Sequence, residues 1–205
     1  MATFSDAFTL TENPIATNWS TVTGVDGGMR QSGGVAYNAT AYEGGSYYDG
    51  TTPGNDQWAE AKFPSSSGSG WSAGCGVRYA SGSCYLYELD GTNVQMKEVS
   101  GGSFSDLGSP AALSFTATDV VRLDATGTTI KVLKNGSEVV SATDSTLTSG
   151  TWCMYGWNNY STGNYLAIDD FNASDEGAGG ATTRGNPFNM GNAFNGGRTF
   201  AGIIR

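Results

Sequence analysis

The chain contains no histidine. That removes Ser-His-Asp and Cys-His nucleophilic catalysis, and every imidazole metal ligand, from consideration. Charge is sparse: Asp, Glu, Lys and Arg make up 14% of the residues, against roughly 25% in an average soluble domain. No apolar run reaches the roughly 18 residues of a membrane-spanning helix, so none is expected. The start, Met1-Ala-Thr-Phe-Ser-Asp, has neither the basic residues nor the apolar stretch of a secretory signal. Net charge is -9 and the isoelectric point about 4.3, which argues against nucleic acid and anionic membrane as partners.

Cysteine is scarce and odd in number: Cys75, Cys84 and Cys153, with no Cys-x-x-Cys spacing. Such a set is no disulfide framework. Cys75 and Cys84 flank a hairpin turn at Ser81-Gly82. With those two residues as the loop, Tyr79 faces Cys84 and Cys75 faces Glu88. The two cysteines then share a face but lie roughly 13 Å apart along the strand, too far for a bridge. A Cys75–Cys153 bridge stays open. Otherwise the three thiols serve as small buried hydrophobes.

What the chain has in abundance is glycine, 31 of 205 residues, together with 9 Phe, 5 Trp and 10 Tyr. The apolar pattern alternates. Thr17–Thr23, Gln57–Phe63, Ser72–Tyr79, Ser83–Leu89, Asn93–Val99, Asp119–Ala125, Thr128–Lys134, Glu138–Thr143, Trp152–Trp157 and Tyr165–Phe171 read as strands. Gly27-Gly28, Gly33-Gly34, Gly44-Gly45, Asp90-Gly91, Gly101-Gly102 and Asn135-Gly136 read as turns. Asn135-Gly136 between two alternating runs is a strong hairpin signal. No window shows a helical period. The expected fold is all-β, an antiparallel two-sheet jelly-roll sandwich over 1–176. Its core includes Val77, Leu86, Val121, Leu123, Ile130, Val132 and Trp152.

A Gly-rich linker and an extended C-terminal tail follow, over 177–205. All 19 acidic residues and seven of the ten basic ones lie in 1–176, a net charge of -12 there. The tail has no acid and three arginines, Arg184, Arg198 and Arg205. A period of six places Phe188, Phe194 and Phe200 at equivalent positions, on one face of an extended chain. With Ile203 and Ile204 at the end, the tail reads as a docking segment. Its partner would be a neighbouring copy of the chain or a capsid or fibre protein.

Three groupings bear on chemistry. Glu88-Leu-Asp-Gly-Thr-Asn resembles the first half of the Glu-x-Asp-x-x-Glu strand of retaining glucanases, whose two carboxylates must lie about 5 Å apart. Here Asn93 replaces the third acid and Asp90-Gly91 reads as a turn, so no catalytic residue is assigned and the chain is expected not to be an enzyme. Asp6, Asp169 and Asp170, at the two ends of the fold, are candidates for a structural Ca²⁺. Calcium takes six to eight oxygens, however, and adjacent carboxylates on a strand point to opposite faces. No other cofactor is expected. Alternation along Ser72–Leu89 assigns Arg78, Tyr85 and Tyr87 to an aromatic-polar surface. With Trp157, Asn159 and Tyr160 these are the candidate carbohydrate contacts.

The stretch from Asp119 to Val140, followed by Leu147-Thr-Ser-Gly and Ile168-Asp-Asp-Phe, resembles the paired strands of concanavalin A-like, laminin G-like lectin and glucanase domains. The opening Phe4-Ser-Asp-Ala-Phe mirrors that closing Asp-Asp-Phe, as in domains whose ends lie side by side. The resemblance covers roughly 4–175 and implies a jelly roll with one concave sheet. It transfers no activity, because this fold hosts enzymes, lectins and structural modules. Domains of this kind with an extra tail are similar to those of phage virion proteins. The leading expectation is a non-enzymatic structural protein displayed on a virion or built into an extracellular fibre. The alternative is a carbohydrate-binding lectin-like module, and behind it a degenerate glycoside hydrolase.

Overall fold

The computed structural model describes residues 2–38, 42–64, 71–158 and 166–175. Sixteen strands and no helix appear among them. The strands are β1 (Thr3–Asp6), β2 (Trp19–Thr21), β3 (Met29–Ser32), β4 (Val35–Asn38), β5 (Glu43–Tyr48), β6 (Gln57–Lys62), β7 (Trp71–Ala80) and β8 (Ser83–Leu89). They continue as β9 (Asn93–Ser100), β10 (Ser103–Asp106), β11 (Ala111–Ala112), β12 (Val120–Thr126), β13 (Thr129–Lys134), β14 (Ser137–Thr143), β15 (Thr151–Asn158) and β16 (Asp169–Ser174).

Two antiparallel sheets form the sandwich. The smaller runs β1-β16-β6-β12-β13-β14 and the larger β10-β9-β8-β7-β15-β5-β2, with β11 paired to β9 and a separate β3–β4 hairpin. The ends of the domain lie side by side as the mirrored motifs implied: Phe4 pairs with Ala173 and Asp6 with Phe171. The Asn135-Gly136 turn, both residues at positive φ (50° and 83°), joins Lys134 directly to Ser137. Asn and Gly tolerate the left-handed region that a tight hairpin turn demands.

The main core lies between the sheets. Ala59, Val121, Leu123, Ile130, Val132, Phe171 and Ala173 of the smaller sheet meet Cys75, Val77, Tyr85, Tyr87, Leu89, Met96, Trp152 and Met154 of the larger. Every core residue expected from the sequence is buried. Full burial of a side chain such as Leu123 contributes about 1.5–3 kcal/mol.

The β7–β8 hairpin departs from simple alternation, and the departure corrects three expected surface residues. Ser81 and Gly82 form the turn, with Ala80 opposite Ser83, but Val77 then stands opposite Tyr85. One extra residue on β7 makes a bulge, with Arg78 in the left-handed region at φ 57°. A one-residue slip inverts every side chain beyond it. Tyr85 and Tyr87 therefore point into the main core, fully buried, while Tyr79, Cys84 and Leu86 form a second cluster on the opposite face. The Tyr87 hydroxyl donates to the Val121 carbonyl across the sandwich at 2.9 Å. The Tyr85 hydroxyl donates to Asp144 and accepts from the Leu147 amide.

Arg78 is likewise buried, at 2% exposure. Its guanidinium donates to the carbonyls of Asn55 (2.9 Å), Leu147 (3.0 Å), Gly127 (2.9 Å) and Ala125 (3.4 Å). Burial pulls its pKa down, opposed by Tyr85 and by Asp56 3.8 Å away. It is a tie between loops at one end of the sandwich.

The pairing of β7 with β15 decides the cysteines, since Met154 and not Cys153 stands opposite Cys75. All three are free and buried. Cys75 belongs to the main core and Cys153 to the outer cluster, on opposite faces of one sheet, so the Cys75–Cys153 bridge is closed off. Burial pushes the Cys75 thiol up to about 12.

Candidate functional site

On its outer face the larger sheet is half covered. Val22, Tyr79, Cys84, Leu86, Val99, Cys153 and Tyr155 form the second cluster, with Val25, Tyr47 and Phe104 packed over it. The loop after β2 is fastened there by the Thr23 amide, which donates to the Tyr79 hydroxyl at 3.0 Å. Among the described residues, the covering stops toward the Trp157 end of β15.

There, period-two alternation places Trp157 on the same face as Tyr155 and Cys153. Trp157 stands between Glu43 of β5 and Ser72 of β7. One row further in, Tyr155 stands between Gly45 and Gly74. Gly74 lies beside Glu88, which pairs with Gln95 of β9. Side chains other than hydrogen are excluded from this row at Gly74, where a Cβ would fall 1.5 Å from the Tyr87 carbonyl oxygen. Gly74 lines a hollow together with Glu43, Ser72, Glu88, Phe104, Tyr155 and Trp157. Its cavity volume is about 10 Å³, room for one water molecule at most. The arrangement is a shallow surface with a dimple and does not enclose a sugar ring. Trp157, 37% exposed, is the large aromatic at its rim.

The hollow is acidic. Burial raises the Glu88 pKa; Lys97 opposes the rise, while Glu43 and Asp106 add to it. The Lys97 ammonium lies 3.7 Å from Glu88 and 2.5 Å from Asp106. Burial also raises the Glu43 pKa, with Asp26 adding repulsion. The Asp26 amide donates to the Glu43 carbonyl at 3.1 Å, which keeps the two acids adjacent.

Among the residues singled out from sequence, Trp157 lies at this surface, whereas Arg78, Tyr85 and Tyr87 lie inside the fold. Asn159 and Tyr160 fall outside the described residues. So do the tail positions Arg184, Phe188, Phe194, Arg198, Phe200, Ile203, Ile204 and Arg205. Asp90 sits in the expected turn, and its carboxylate accepts from the Thr92 and Asn93 amides at 2.8 and 2.7 Å. The glucanase-like half-motif is thus split: Glu88 faces the hollow and Asp90 holds a loop.

The three candidate calcium residues each accept a hydrogen bond or ion pair within the fold. Asp6 accepts from the Phe8 amide at 2.8 Å and the Trp19 indole N–H at 2.9 Å. Asp170 is paired with Lys62 at 2.6 Å, and Asp169 accepts from the Asp170 amide at 2.7 Å. N–H donors thus take both Asp6 oxygens, and a main-chain amide and an ammonium take one oxygen each of Asp169 and Asp170. Among the described residues no three metal-ligating side chains converge.

Sequence reasoning missed Glu43, Ser72 and Phe104. Gly44-Gly45 reads as a turn, but both glycines lie inside β5, where Tyr155 Cε1 comes within 3.1 Å of the Cβ that Gly45 lacks. The glycines serve close packing there, and a turn assignment hides the glutamate before them.

No protein-family model matches this sequence, and no curated protein sequence matches it. Solved structures do match in shape. A prokaryotic β-1,3-1,4-glucanase (lichenase) derived from a mouse hindgut metagenome superposes with a TM-score of 0.61 at 12% identity, covering 86% of this chain and 100% of that one. The carbohydrate-binding module CBM66 from Bacillus subtilis gives 0.58 at 17% identity, covering 75% and 91%. The β-glucanase of Bacillus licheniformis gives 0.57 at 16%, covering 86% and 99%. The fold is the concanavalin A-like jelly roll. Identities this low carry the architecture alone. Binding modules and hydrolases both appear among the neighbours of this jelly roll, so its chemistry has to be argued from the side chains.

Proposed function

We propose that the protein is a non-catalytic carbohydrate-binding module, with its ligand on the uncovered end of the larger sheet. The observation that carries the reading is Trp157, an exposed indole beside the Ser72 hydroxyl and the Glu43 and Glu88 carboxylates. An aromatic plane with hydrogen-bonding groups at its edge suits a sugar ring, which has an apolar face and a polar rim. A carbohydrate-binding module among the structural neighbours supports a glycan as ligand.

Hydrolysis is the weaker alternative. Two-carboxylate hydrolysis needs one group as acid and another as base or nucleophile across the scissile bond. Along β8 only Glu88 is available, because Asp90 is consumed by its turn and position 93 is Asn. Glu43 is a second carboxylate, but β7 and β15 separate its strand from β8.

Titration calorimetry against a panel of β-glucan, fructan and amino-sugar oligomers tests the proposal. At least one is expected to bind, and Trp157→Ala to weaken it tenfold or more, about 1.4 kcal/mol. Binding that survives Trp157→Ala unchanged would place the ligand elsewhere. Reducing-sugar release from any of the glycans would make the protein an enzyme.

A further inference from the structure

The charge of the hollow selects among sugars. Glu43 and Glu88 are in its walls. Behind Glu43 lies Asp26, and beside Glu88 lies Lys97, itself held by Asp106 at 2.5 Å. Two carboxylates therefore wall the dimple, each with a further acid nearby, and the Lys97 ammonium lies 3.7 Å from Glu88. The described arginines lie elsewhere. Arg30 stacks over Tyr37, Arg78 ties loops, and Arg122 lies over Trp58 on the smaller sheet. A second anion brought here as a uronate, sialate or sulfate would add repulsion at a partly desolvated place. A cation would relieve the repulsion already present, and an indole face adds cation–π attraction.

We propose that this hollow takes saccharides bearing free primary amines, glucosamine oligomers being the simplest, with Trp157 under one ring and Glu43 and Glu88, on separate strands, each facing a different ammonium of the sugar chain. The inference rests on the carbohydrate-binding reading and adds the ligand's chemical class to it. The -12 of residues 1–176 contributes long-range attraction for such a chain, but the preference is placed in the two glutamates.

The test compares the hexamer of glucosamine with the hexamer of N-acetylglucosamine on the full chain at low ionic strength. The N-acetylated sugar keeps the ring and loses the charge. Glucosamine hexamer is expected to bind at least tenfold more tightly, and Glu43→Gln/Glu88→Gln to erase that gap. Glu138→Gln, on β14 of the smaller sheet, controls for overall charge and is expected to leave the gap intact. A gap that survives the double variant, or that Glu138→Gln shrinks equally, would assign the preference to net charge and overturn the inference. Equal or tighter binding of the N-acetylated or a galacturonate hexamer, still lost in Trp157→Ala, would overturn the inference alone. Absence of binding by every glycan would overturn the carbohydrate reading with it.

Discussion

Glu43 and Glu88 show at the level of single residues what the proposed binding surface costs in stability. Both carboxyls have pKa values raised by burial and by neighbouring acids, so in the folded chain they hold their protons above the ordinary 4.5. A raised carboxyl makes the folded state bind more protons than the unfolded one. Stability is then greatest below the unfolded value and falls as pH climbs through the window above 4.5. Glutamine has no such charge to bury. Glu43→Gln/Glu88→Gln is therefore expected to melt at a higher temperature than wild type at pH 7, with the difference shrinking toward pH 4. Thermal unfolding by circular dichroism at the two pH values checks it; a lower melting temperature at pH 7 would show that Lys97 and the remaining contacts outweigh the repulsion. Active surfaces commonly carry such a cost in stability. Neither residue stood out in the sequence as a binding group. Glu43 precedes a glycine pair that looks like a turn, and Glu88 belongs to half of a catalytic motif.

The β7–β8 hairpin is the element where alternation misleads. Its turn is legible from Ser81-Gly82, and both strands are legible from their apolar residues. The bulge is not, because nothing in the residue string marks Arg78 as the left-handed position. Left-handed backbone at a non-glycine residue costs of order 1–3 kcal/mol. Here the cost is offset by four carbonyl acceptors and by the Arg78 amide, which donates to Gln57 Oε1 at 3.1 Å. Lysine cannot reproduce that fork, since its ammonium is a compact point charge. Each carbonyl left without a donor costs about 1–3 kcal/mol. Arg78→Lys is expected to lose at least that much from one orphaned acceptor, read from the urea midpoint. A loss under about 0.5 kcal/mol would mean that solvent satisfies the carbonyls and that the tie is dispensable. The strands the sequence reading missed, such as β3, β4, β5 and β10, are short or Gly-rich. Their burial comes from neighbours far along the chain, which local periodicity cannot register.

For the whole molecule, the two-sheet architecture was written in the alternating runs, and the pairing of the first and last described strands in the mirrored Phe4-Ser-Asp and Asp-Asp-Phe motifs. The proposed binding face was less legible, because it is assembled from β5, β7, β8, β10 and β15. Only the order of strands in the sheet brings Glu43, Ser72, Glu88, Phe104 and Trp157 to one hollow. That convergence makes the location of the ligand the central claim. The most direct measurement is amide chemical-shift mapping of the isotope-labelled full chain during titration with the tightest-binding oligosaccharide. The account predicts shifts concentrated at Glu43, Ser72, Glu88 and Trp157. The outer face of the smaller sheet, Trp58, Arg122 and Lys131, should stay unperturbed. Shifts centred on that smaller sheet, or spread over the tail with none near Trp157, would contradict it.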